Sequence, residues 1–99
     1  MIFIKIHKSL RHVVAVCDSN LIGKKFEEGK KQLFLRESFY KGEGLEKKDA
    51  LKIMLQQAKE DATFNIVGEE SINLALEAGI IDKKGISRVA GIPFALALL

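Results

Sequence analysis

Ile2, Ile4 and Ile6 alternate with Phe3, Lys5 and His7, the two-residue period of a half-buried strand. "KSLR" turns the chain and the β-branched run "HVVAVC" follows, so the opening reads as a β-hairpin with a short loop. "NLIGKKFEEGKK" reads as loop or a single helical turn closed by Gly29. In "QLFLRESFY" the apolar residues at 33–35 and at Phe39 and Tyr40 read as further strands, and "KGEG" as a breaker. Over residues 46–60, Ala50, Leu51, Met54, Leu55 and Ala58 form a helical stripe with Lys and Gln opposite. "ATFNIV" is a short strand. Gly68 then opens a second helix with Glu69 and Glu70 in its first turn, where the positive end of the dipole favours them. Ile72, Ala75 and Leu76 make its core stripe and Gly79 its C-terminal cap. "GISRVAG" and "FALALL" read as two last strands.

This order predicts an α+β fold: one domain over residues 1–99, with a mixed β-sheet, an N-terminal hairpin and two helices. "FALALL" is apolar on both faces, as in a central strand or an edge covered by another subunit. The second case predicts a homo-oligomer joined through residues 94–99.

Composition narrows the picture. The chain is 47% hydrophobic and 29% charged with one proline, which makes it globular rather than disordered. One cysteine forms no internal disulfide and fits a reducing compartment. "MIFIKIHK" lacks the basic-then-apolar order of a secretory signal, and "GIPFALALL" is far short of the ~20 residues of a membrane helix. The expectation is a soluble, cytoplasmic protein with no membrane association. The net charge of +3 hides an asymmetry: residues 1–50 hold 11 Lys or Arg against 7 Asp or Glu, and residues 51–99 hold 5 against 6. A basic half points to an anionic partner such as RNA. The same composition also fits the Lys- and Glu-rich solvated surface of a thermostable protein.

Four stretches are candidates for chemistry. A nucleophilic Cys17 needs a base or a positive field. His12 alternates to the other face, His7 is on the partner strand, and Asp18 beside the thiol raises its pKa. The apolar run ending at Cys17 reads as a core position. One cysteine and two histidines without CxxC or HxxxH spacing predict no metal site. Lys24, Lys25, Lys30 and Lys31 bracket Phe26 and could follow a phosphate backbone while Phe26, or Phe39 and Tyr40, stacks on bases. Glu27 and Glu28 oppose that field, and a phenylalanine between charged pairs also serves as a core anchor. In "NIVGEE", Gly68 at a strand-to-helix junction can expose N–H groups to an anion. With no GxGxxG and no Walker lysine, Asn65 reads equally as a cap or turn residue, and no cofactor is expected. Pro93 belongs at a strand start or edge.

"AVCDSNLIGKKFEEG", "FNIVGEESINLALEAGII" and "VAGIPFALAL", in this order and spacing, resemble the archaeal family called domain of unknown function 424. The similarity covers almost the whole chain. It departs over residues 33–48 and after Pro93, where Phe94 and Leu96 replace a polar residue. The resemblance implies a small cytoplasmic archaeal protein and carries no catalytic, binding or cofactor residues to transfer.

Three functional readings follow. The leading one is a non-enzymatic module engaging RNA or a ribonucleoprotein of translation through the basic N-terminal half. The second is a small enzyme or anion- or nucleotide-binding protein using Cys17, Asp18 and the turn at residues 65–70. The third is a protein-interaction domain pairing through its last strand.

Overall fold

The computed structural model describes residues 1–99. Strands β1 (Ile2–His7), β2 (Val13–Asp18), β5 (Glu43–Leu45), β6 (Thr63–Val67), β7 (Ser87–Val89) and β8 (Ile92–Leu98) form one sheet in the order β5-β1-β2-β6-β8-β7. Strands β3 (Lys25–Glu28) and β4 (Lys31–Phe34) make a separate hairpin. The helices are α1 (Glu37–Tyr40), α2 (Lys47–Lys59) and α3 (Glu69–Glu77). β2 and β6 are parallel and the other pairings antiparallel. A parallel neighbour cannot be reached by a tight turn, and everything from β3 to α2 lies in the crossover between the two. The mixed sheet and the α+β class agree with the periodicity of the sequence.

The register sorts the core into rows. Ile4, Val16, Ile66 and Ala95 line up across the four central strands, and beside them Ile6, Val14, Phe64 and Ala97. This face packs under Ala50 and Met54 of α2 and Ile72 and Ala75 of α3. Phe64, Met54 and Ile66 are fully buried, each contributing about 1.5–3 kcal/mol from the water it leaves. Ala95 and Ala97 are small where α3 approaches β8.

Period two sends the alternate residues to the opposite face. Its first row is Phe3, Cys17, Val67 and Phe94; Cys17 and Val67 are buried with Leu21 and Leu35 in a second cluster, against which Phe26, Leu33, Tyr40 and Phe94 pack. The next row is Lys5, Ala15, Asn65 and Leu96, and the last His7, Val13, Thr63 and Leu98. α1 covers the β1 end of this face: Phe39 stacks on His7 at 4.5 Å between ring centroids, and Lys5 Nζ donates to Ser38 O at 2.7 Å. Both histidines are engaged, His7 Nε2 donating to Phe39 O at 2.9 Å and His12 Nδ1 to Gln57 Oε1 at 3.1 Å.

Three segments differ from the sequence expectation. The stretch read as loop holds β3, whose one apolar residue, Phe26, lies opposite Leu33, too little for a periodic signal; β4 starts at its end and overlaps the strand expected at 33–35. Residues 37–40, read as strand, form a single helical turn, with Lys41 N bonded to Glu37 O. "KGEG", read as a breaker, runs into β5, and its glycines serve close packing: a Cβ on Gly42 would lie 2.1 Å from Ile4 O.

Candidate functional site

β2 and β6 end side by side, Cys17 opposite Val67, so Asp18 and Gly68 emerge together at the carboxyl ends of the parallel pair. There the Asp18 carboxylate crosses to the start of α3. Its Oδ1 accepts from Ser71 N at 2.8 Å and Ser71 Oγ at 2.7 Å, and its Oδ2 from Glu70 N at 3.1 Å. A helix begins with N–H groups that have no partner in the helix. An N-cap side chain ordinarily binds those at the second and third positions. Here the N-cap is Gly68, which has no side chain, and Asp18 supplies the cap from the neighbouring strand.

Gly68 is fixed by this arrangement. Its φ of 108° with ψ of 155° lies in a region open essentially to glycine alone. A Cβ there would stand 2.3 Å from Asp18 Cγ. Gly68 N donates to Pro93 O at 2.9 Å, joining the junction to the start of β8. A cleft of about 490 Å³ opens in front, lined by Asp18, Ser19, Asn20, Glu70, Ile92 and Pro93 among others. The anion position at the head of α3 is thus filled by the protein's own carboxylate, with Glu69 and Glu70 beside it.

Asn65, expected as a cap or turn residue, is neither. It is the third residue of β6, between Ala15 and Leu96. The strand continues to Val67, so Asn65 stops two residues short of the junction. The sequence reading missed the Asp18 cap because its two halves lie more than fifty residues apart.

Cys17 is fully buried. Burial, and then the neighbouring Asp18 charge, push its thiol up to about 12. It lies opposite Phe3, whereas His7 lies opposite Val13, four residues or about 13 Å along the strand. The structure therefore brings no histidine to the thiol. Tyr40 packs on the same cluster, and burial, then Cys17, raise its hydroxyl pKa. No group of three or more His, Cys, Asp or Glu is arranged to hold a metal ion.

The lysines lie elsewhere, on the β3–β4 hairpin. Pleating divides the hairpin into two faces. Phe26 and Leu33 turn inward against the second cluster. Lys25 and Phe34 form a cross-strand pair on the outer face, followed by Glu27 and Gln32. Phe34 is 45% exposed, and the Arg36 guanidinium carbon stands 5.0 Å from its ring centroid, within cation–π range. Lys24, Lys25, Lys30 and Lys31 are all exposed. Lys25 pairs with Glu27 at 3.2 Å with both side chains about half in water, a contact of little strength. Glu28 Oε1 instead accepts from Ala90 N at 2.7 Å, fastening the hairpin tip to the β7–β8 turn. The structure thus gives Phe26 a packing position and exposes Phe34, which lies in a strand as expected but on its outer face. The signal available was the Phe34-Leu35-Arg36 spacing, which puts Phe34 and Arg36 on one side of an extended chain.

Comparison with curated proteins returned no match. Among solved structures, the chain is similar to an uncharacterized conserved protein from Methanopyrus kandleri, with a TM-score of 0.86 and 25% identity over 96% of this chain and 88% of the other. The family model described as a protein of unknown function, DUF424, matches residues 6–98, a span that takes in the Asp18–Gly68 junction and the whole basic hairpin. The chain is a member of the DUF424 family.

Proposed function

We propose that the protein is a non-enzymatic module that binds RNA through the outer face of the β3–β4 hairpin. The observation that carries this reading is the half-exposed Phe34 ring, with Arg36 over it and Lys25 directly across the ladder. An aromatic face offered to solvent and rimmed by cations suits an unpaired base with phosphates on either side. Residues 24–36 hold five basic and two acidic side chains, and one of the two, Glu28, is turned to the Ala90 amide. The hairpin is held at both ends, by Gly23 N and Leu35 N bonds at its base and the Glu28–Ala90 bond at its tip. A platform fixed in this way binds without first having to be ordered. The RNA of a ribonucleoprotein, such as the translation machinery, is a target of this chemistry, and a cytoplasmic location follows from that role.

The test is a salt series of binding to a single-stranded RNA oligomer. Wild type should bind near physiological salt, with a log–log slope that loses about 0.7 for each phosphate contact removed. Changing Lys24, Lys25, Lys30 and Lys31 to Gln should flatten that slope. Phe34→Ala should weaken binding by about 1–3 kcal/mol at unchanged slope. Absence of affinity in the wild type overturns the proposal.

A further inference from the structure

We infer that the outer edge of β8 over residues 95–98 is a self-association surface, and that its partner is a second copy of this chain paired antiparallel about a two-fold axis. β8 has seven residues, but β7 covers only Ile92 to Phe94 on that side, ending at the Ser87–Phe94 pair. The other side is paired with β6 as far as Leu98. Beyond Phe94 the strand therefore has one open edge. The N–H and C=O groups of successive residues alternate in direction along an antiparallel strand. The tight turn at Ala90 and Gly91, both at positive φ, makes Val89–Ile92 a hydrogen-bonded pair, and hence Ser87–Phe94 as well. By that alternation, Leu96 and Leu98 direct their backbone groups to the open edge, and Ala95 and Ala97 direct theirs to β6.

Monomeric proteins blunt such edges with charge, proline or a bulge. Residues 94–99 hold no charged residue and no proline, and the β6 register runs through Leu98 without a bulge. Leu96 and Leu98 are 58% and 71% exposed on the sheet face opposite α2 and α3, at the far end from α1.

What identifies the occupant is how the edge fits itself. An isologous contact requires a patch that complements its own copy. Placing the axis at Ala97 puts Leu96 opposite Leu98 of the second copy, and Leu98 opposite its Leu96. Both are hydrogen-bonded pairs, so four N–H···O bonds form, all beyond Phe94, the last residue that β7 pairs. A two-fold axis normal to the sheet keeps like faces together, so four leucines join in one stripe. No charge is brought against its like in the process. The contact is short, well below the ~1,600 Å² of a standard interface, so the dimer is weak and concentration-dependent. The inference is independent of the RNA reading: the hairpin residues take no part in it.

Sedimentation velocity over a concentration series tests it. Wild type should shift from monomer toward dimer as concentration rises. Leu96→Lys combined with Leu98→Lys should be monomeric throughout with an unchanged far-UV spectrum, and Leu55→Lys, at an exposed leucine on α2, should behave as wild type. The register has its own test. Directly opposed hydrogen-bonded residues have Cα atoms about 5.5 Å apart, within disulfide range. An oxidised mixture of Leu96→Cys and Leu98→Cys chains should therefore give a cross-linked dimer containing one of each, and neither variant should cross-link efficiently alone. A wild type that stays monomeric to about 1 mM, a dimer that survives the double lysine change, or cross-linking of either cysteine variant by itself overturns the inference.

Discussion

Replacing Gly68 with alanine puts a methyl carbon 2.3 Å from Asp18 Cγ and 2.5 and 2.7 Å from its two oxygens. No rotation of alanine removes that overlap, so the carboxylate or the backbone must move. Three costs arise. The backbone at φ 108° is strained for any residue with a Cβ, by about 1–3 kcal/mol. Displacing Asp18 forfeits the cap of α3, about 0.5–2 kcal/mol. It also leaves Ser71, fully buried, with an unpartnered hydroxyl and amide, and a buried group without its partner costs about 1–3 kcal/mol. The costs overlap, and a total of about 3–5 kcal/mol is expected, a large part of a typical domain's 5–15 kcal/mol. Urea unfolding followed by circular dichroism measures it. A double-mutant cycle separates the contributions: with Asp18→Ala already present, the alanine at 68 has no carboxylate to strike. Its cost should then fall by at least about 1 kcal/mol, leaving the backbone term. A cost below about 1 kcal/mol in the wild-type background, or equal costs in both, would refute the reading of this junction.

Cys17 should resist iodoacetamide in the native state and react promptly once unfolded, and Cys17→Ala should cost about 1 kcal/mol. Its folded-state pKa of about 12 exceeds the ordinary 9.0, so folding favours the protonated thiol. The resulting stability is complete below pH 9 and is lost as pH rises from about 9 to about 12. Denaturant midpoints across that window should fall more steeply for wild type than for Cys17→Ala, and parallel curves would contradict the assignment. Phe26→Ala should destabilise the protein by about 1–3 kcal/mol through lost packing against the second cluster. Phe34→Ala should change stability by less than about 0.5 kcal/mol. A reversal of that order in thermal melts would mean that the hairpin faces are misassigned.

Helices α2 and α3 and the long strands were legible because each carries its own period. Ala50, Met54 and Gln57 return to one side of α2, and Phe64 and Ile66 alternate in β6. Apolarity on both faces of β8 fitted a central strand or a covered edge, and the strand lies between β6 and β7 only as far as Phe94. What escaped the sequence is held by partners distant along the chain. β3 has three charged residues among four and is a strand because Leu33 lies across from Phe26 and the pair packs on Leu35 and Val67. β5 exists because Gly42 and Gly44 let it lie against β1. Asn65 looked like a cap because it is polar and precedes a helix, but the oxygen that caps α3 belongs to Asp18. The four lysines were legible as exposed charge. The aromatic beside them was not, since telling Phe26 from Phe34 requires knowing which hairpin face meets the sheet.

The most direct measurement is an amide NMR titration of the protein with a single-stranded RNA oligomer near physiological salt. Chemical-shift changes should concentrate at Lys25, Gln32, Phe34 and Arg36, with the amides of α2 and α3 unmoved. An unchanged spectrum, or changes gathered instead at Asp18, Glu70 and Ser71 around the cleft, would contradict the RNA-binding proposal.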